Sequence, residues 1–320
     1  MRTRLLTAWL LAFLALPAQD VFRVDVRLVR ILATVKDVSG DLIGTLGKDD
    51  FTILDNGVKQ EVAHFERQTA QALSVALLVD TSLSTAKEHR YEIDSASRFL
   101  KSLFSSGHPE DTAALYSFSY DITLLASFTR RHDRLDRELR QLKAESGTSM
   151  YDAIHLVSKE LERRQGRKVI ILVTDGGDTT SSRNFHQALE AAQLADAILY
   201  AVLVVPITND AGRNLGGENA LAGLAAGTGG RVFVPSAGPE IDAAFSGILE
   251  ELRTQYFLGY YPRNLPPGGE RFHRLEVGVR RPGLRVFARS GYYGDVEPPS
   301  VAPPQSRGPA LEKKSKSRPE

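Results

Sequence analysis

The chain has 320 residues, 42% of them hydrophobic and 25% charged, with 40 basic and 39 acidic side chains and no cysteine. That length buries a sizeable core with room for about two domains, and the near-average composition excludes a disordered, collagen-like or polytopic membrane chain. The missing cysteines exclude disulfides, thiolate zinc sites, iron–sulfur clusters and thiol nucleophiles, and the balanced charge offers no clustered basic surface for nucleic acid.

Arg2 and Arg4 precede an apolar run over 5–16, and Pro17-Ala18 follows. A charged start, an apolar core and a small residue at the cleavage point predict a signal peptide over 1–18, leaving Gln19 first. The other reading is an uncleaved anchor, but a bilayer span needs about 20 apolar residues. Cleavage leaves 38 basic against 39 acidic side chains. The mature protein is expected to be secreted or periplasmic, with no integral membrane span.

Residues 19–70 are expected to form a β segment. Its strongest signal is Asp55-Asn56-Gly57 between strand-like runs over 51–54 and 58–65, because both positions of a tight hairpin turn need positive φ. Over 71–252 the pattern changes. Continuous apolar runs at 73–79, 169–174 and 198–205 predict strands buried on both faces. Helical stretches are expected at 85–104, 133–142, 151–164, 185–194, 219–226 and 240–252. Strands alternating with helices predict an α/β fold with a doubly wound, mostly parallel sheet. An antiparallel pair at 112–118 and 122–128 should supply one edge.

Residues 253–296 return to β character and are expected to pack with 19–70 into one smaller β unit, with the α/β domain inserted between its halves. Residues 297–320 are rich in Pro, Ser and Lys and are expected to be disordered.

The first buried strand runs into Asp80-Thr81-Ser82-Leu83-Ser84. In an open parallel sheet, ligands bind at the carboxyl ends of strands where the winding reverses. Asp80, Ser82 and Ser84 place three oxygen donors there, and hard oxygen ligands suit magnesium above other ions. The plainer reading of that string is a capped helix start. Two further pieces shift the balance: the strand at 169–174 ends in Asp175-Gly176-Gly177, and Gly147-Thr148-Ser149 precedes an amphipathic helix.

In order and spacing these pieces resemble the von Willebrand factor type A family over residues 71–252. The resemblance implies a metal-ion-dependent adhesion site made of Asp80, Ser82, Ser84, Thr148 and Asp175, with no departure from the family pattern. The flanking residues Asp50-Phe51, and the stretch from Tyr256 to Pro262, are similar to a secreted bacterial (acidobacterial-type) group of such proteins. The implied function is non-enzymatic. A divalent ion, magnesium with manganese and calcium as the other candidates, leaves a position for an Asp or Glu carboxylate of a partner protein.

The alternative is a metal-assisted hydrolase at the same strand ends, and a third reading is an envelope protein with a vestigial site. A catalytic metal site normally needs a general base, and no His or additional Glu lies in the matched loops. Ser84-Thr85-Ala86-Lys87 spells S-x-x-K, but no Ser-Asp-Asn or Lys-Thr-Gly partner follows. Ser82 stands where a D-x-D phosphatase needs its second aspartate. The seven histidines lack zinc-ligand spacing. Two roles are open to Asp178, assisting the metal loop or capping the helix that follows it, and capping is the expected one; the aromatic residues from Tyr256 to Tyr261 are expected to line a half-buried strand.

Overall fold

The computed structural model describes residues 28–67, 70–82, 86–204, 214–236, 238–265 and 271–294. The signal segment, Ser84, much of the 207–217 loop and the C-terminal tail beyond 294 lie wholly or partly outside these residues.

The central sheet follows from its uninterrupted apolar strands. β5 (Leu73–Asp80), β8 (Arg167–Thr174) and β9 (Ala197–Leu203) are buried at every position. With β6 (Thr112–Phe118), β7 (Ile122–Thr129) and β10 (Val232–Phe233) they form six strands in the order β10-β9-β8-β5-β6-β7. All neighbours are parallel except β6 and β7, so the antiparallel edge is present.

Alternate residues of β5 point to opposite faces. Val75, Leu77 and Val79 pack with α1 (Ala86–Ser106), α2 (His132–Leu139) and α6 (Gly238–Thr254). Ala76 and Leu78 pack with α3 (Met150–Glu162), α4 (Phe185–Leu194) and α5 (Leu215–Thr228). Helices therefore cover both faces, and the fold is the doubly wound α/β arrangement read from the periodicity. The chain begins this sheet at β5, winds outward to β7, then returns to β8 on the other side of β5. The switch point lies between the carboxyl ends of β5 and β8.

The residues before and after this layer pair with each other. β1 (Val29–Lys36) runs antiparallel to β11 (Tyr256–Tyr260), with Val29 opposite Tyr260. These strands join β13 (Arg285–Phe287) and β4 (His64–Glu66) in one sheet. β2 (Phe51–Asp55), β3 (Val58–Gln60), β12 (Phe272–Val279) and β14 (Gly291–Tyr293) make the other. Ile31, Ile53, Leu258 and Leu275 from the two sheets share one core. The β2–β3 turn has φ 48° at Asn56 and 79° at Gly57, the conformation that Asn-Gly tolerates.

Two local expectations change. The run over 58–65 is not one strand: β3 stays with β2, Val62 enters the core, and β4 crosses to pair with β11. The amide of Ala63 donates to the carbonyl of Gly259 at that crossing. β11 is buried at every position rather than half-buried, because Tyr256, Leu258 and Tyr260 face the sandwich core. Its other face carries Phe257, which lies under the Arg30 guanidinium.

A buried carboxylate joins the two sheets. Asp55, with no exposed surface, accepts at Oδ2 from the hydroxyls of Tyr260 at 2.7 Å and Tyr292 at 2.8 Å. Its Oδ1 lies 3.1 Å from Nδ1 of His273. Burial first, and the Asp55 hydrogen bond second, push both tyrosine hydroxyls well above their usual range. A second buried acid docks the sandwich to the α/β layer. Glu251 of α6, 1% exposed, lies 2.9 Å from Lys36 Nζ of β1 and 2.8 Å from Arg231 Nη2. These are ionic contacts, for neither Glu251 oxygen has a well-directed hydrogen bond.

Candidate metal centre

Asp80 ends β5 and is buried. Its Oδ2 accepts from the Thr174 hydroxyl at 2.6 Å, and its Oδ1 from the backbone N–H of Ser82 at 2.9 Å. The Ser82 hydroxyl also bonds to it. Burial first, and more weakly the nearby Asp175 charge, raise the Asp80 carboxyl to about 6 against the pull of these donors. The strongest influences on Asp80 include no cation. A desolvated carboxylate with spare acceptor capacity and no positive partner among the described residues is chemically suited to a metal ion.

Asp175 follows β8 directly and is half-buried, close enough to Asp80 for their charges to interact. The structure therefore brings Asp80, Ser82 and Asp175 to one place, the switch point of the sheet. Ser84 lies outside the described residues. Among the described residues no group of three or more His, Asp or Glu is placed to hold a metal. A site here depends on hydroxyl oxygens as well as carboxylates.

Thr148 is buried, and its loop is held from both sides. Its N–H donates to Thr179 Oγ1 at 2.9 Å, and its carbonyl accepts from the amides of Thr179 and Thr180. Ser149 donates through N–H to the Ser119 carbonyl and through Oγ to the Tyr120 carbonyl. Gly147 has φ +84°, and a Cβ there would meet Tyr120 Cα and the Thr180 side chain at 3.3 Å. The loop thus needs glycine before the threonine. Upstream, the Glu145 amide donates to the Thr81 carbonyl, beside Ser82.

Three groups at this end escape sequence reasoning. Thr174 reads only as the last residue of an apolar strand, yet it bonds Asp80. Glu145 accepts from Ser119 Oγ at 2.6 Å, so an additional carboxylate stands at the rim. Asp178 does not cap the helix after it, which Asn184 caps. It accepts instead from the amide of Tyr151, in the first turn of α3, and from the Ser181 hydroxyl. Asp and Ser spacing gives no sign of the Thr174–Asp80, Glu145–Ser119 and Asp178–Tyr151 contacts, because each joins segments distant in sequence.

On the other side of Asp175, Gly177 packs on the first turn of α5. A Cβ at Gly217 would come within 2.5 Å of Gly177 Cα. Asn214 caps this helix by accepting from the Gly217 amide at 2.9 Å. Two exposed apolar side chains flank the loops: Tyr120, 67% exposed, and Leu215, 63% exposed.

Residues 75–177, which contain the strands, the Thr148 loop and both aspartates, match the family model described as von Willebrand factor type A domain. The chain carries a von Willebrand factor type A domain. Among solved structures, a von Willebrand factor type A protein from Catenulispora acidiphila shares this fold. It has a TM-score of 0.50 at 10% identity, covering 84% of this chain and 75% of that one. The A domain is also similar to two chains with a TM-score of 0.45. One is the vWF domain of the type V pili tip protein Mfa5 from Porphyromonas gingivalis, at 15% identity, covering 57% of this chain and 95% of that one. The other is the conserved hypothetical protein BatB from Bacteroides thetaiotaomicron, at 18% identity, covering 56% and 98%. No curated protein matches the chain significantly. Among the described residues no helix is long and apolar enough to cross a membrane.

Proposed function

We propose that the protein is a secreted or periplasmic binding module whose A domain captures a partner protein through a divalent ion, without catalysing a reaction. Asp80, Ser82, Ser84, Thr148 and Asp175 would hold the ion, magnesium by its preference for hard oxygen donors. Two carboxylates and neutral hydroxyls leave a dication's charge without full local compensation once it is held. The ion would supply a Lewis-acidic point for an Asp or Glu side chain of the partner.

The observation that carries this reading is the buried Asp80 carboxylate, raised to about 6 and facing Asp175 with no cation among its strongest influences. Two acidic groups brought together at a cost in desolvation are characteristic of a functional site. Tyr120 and Leu215 add apolar surface beside the loops, so the partner's acidic residue would be flanked by apolar side chains.

The test is calorimetric titration of the full chain with magnesium. One binding event in the wild type and none in Asp80→Ala, with an unchanged circular dichroism spectrum, is the expected result. Equal magnesium affinity in the two proteins sinks the assignment. Capture from envelope extract in magnesium, lost with chelator and in Asp80→Ala, then separates binding of a partner from binding of metal alone.

A further inference from the structure

At the opposite end of the A domain from Asp80, where β1 crosses the start of β8 and β9, lies a cavity of about 30 Å³. Arg30 of β1, Arg167 of β8 and Arg289 of the sandwich line it, together with Gln193 and Asp196. Lys168, the next residue of β8, is close enough to feel the charges of Arg30 and Asp196. Four cationic groups thus gather at a seam between two packed units.

Their compensation is incomplete. Asp196 is paired with Arg289 Nη1. Asp111 lies near Arg167, but its oxygens accept from the amides of Leu73 and His108. Lys168 also feels the Glu162 carboxylate, and the remaining hydrogen-bond partners among the described residues are neutral. Arg30 donates to Gln71 Oε1, Arg167 to the carbonyls of Gln71 and Leu252, and Lys168 to the carbonyl of Glu162. The Arg289 side chain is 10% exposed, and its Nε has no hydrogen-bond partner. Burial pulls Arg167 down to about 10, against the Asp111 charge, which raises it.

We infer that this cavity is an anion site that holds one small inorganic anion, of the size of chloride, between the guanidinium groups of Arg30, Arg167 and Arg289. Charge sets the class of ligand, since buried cations only partly offset by nearby carboxylates are costly and an anion offsets that cost. Volume sets the size, since about 30 Å³ admits roughly two water-sized particles and no large organic acid. The ion would bridge the A domain and the sandwich, and its effect would appear as stability of the whole chain.

The experiment is thermal unfolding of the full chain at constant ionic strength, with sodium chloride exchanged stepwise for sodium gluconate, whose anion is too large to enter. A ligand bound only by the folded state raises the midpoint with its concentration. The expected result is a midpoint that climbs with chloride and saturates. In Arg30→Gln, a half-exposed position, the apparent dissociation constant should rise by about tenfold or more. Should that variant unfold, chloride-35 line broadening on the wild type, reversed by denaturation, reads the same site directly. Equal midpoints in the two salts, or a response to phosphate alone, overturns the inference.

Discussion

Thr174 donates its hydroxyl to Oδ2 of Asp80 at 2.6 Å, tying together the ends of the two strands that flank the switch point. The same hydroxyl oxygen accepts from the Gly176 amide at 3.2 Å, so it also shapes the loop that carries Asp175. One threonine therefore ties the Asp80 carboxylate to the backbone of the loop that carries Asp175.

Thr174→Val keeps the strand's shape and removes that bridge. It should weaken magnesium binding by about tenfold, a cost near 1.4 kcal/mol, while leaving the far-UV spectrum unchanged. Calorimetry on the two proteins measures the ratio. Equal affinities would show that Asp80 is oriented by Ser82 alone.

Asp80→Asn should abolish metal binding yet stabilise the metal-free protein. The wild-type carboxylate is desolvated and close to Asp175, and its rise from 3.8 to about 6 is a penalty borne by the fold. Relief of that penalty is worth on the order of 1–3 kcal/mol at neutral pH. Urea unfolding in chelator is the measurement. A lower midpoint in Asp80→Asn contradicts the account.

The same shift fixes a pH dependence. The folded state holds the Asp80 proton more tightly than the unfolded state, so the penalty is absent below pH 3.8 and complete above about pH 6. This group's contribution to metal-free stability falls as pH rises through that window, and Asp80→Asn removes the fall. Magnesium competes with the proton, so its affinity should drop about tenfold per unit below pH 6. Titrations between pH 5 and 7.5 would show a flat profile if Asp80 were not a ligand.

Glu251→Gln leaves Lys36 and Arg231 with a neutral neighbour in a buried place. Breaking one side of a buried ion pair typically costs about 3–5 kcal/mol. The denaturation midpoint should fall accordingly. Loss of cooperativity as well, with two transitions in place of one, would mean that this contact couples the A domain to the sandwich.

The α/β architecture was legible because β5, β8 and β9 are continuous apolar runs, which only a sheet covered on both faces can bury. The β2–β3 hairpin was legible because Asn56 and Gly57 accept positive φ cheaply. Strand limits in the sandwich were not. The run over 58–65 mixes Val58, Val62, Ala63 and Phe65 with Lys59, Gln60, Glu61 and His64, and nothing local marks where it leaves one sheet for the other. At the candidate centre, the Asp80 string and the Asp175 strand end stand out by motif. Thr174, Glu145 and Asp178 act through hydrogen bonds to other loops, and residue type alone carries no record of such partners.

Because Val29 lies opposite Tyr260, β1 has no neighbour until the ribosome has passed the whole A domain. Phe51 likewise waits for Val279. The A domain, whose parallel strands are contiguous in the chain, has all its own partners earlier. Order of synthesis and the entropy of closing so long a loop both favour its collapse first, with the sandwich zipping shut as the slow final act. Until then the apolar faces of β1 and β2 stand bare, so the nascent chain carries its greatest need for a chaperone in the segment before the A domain.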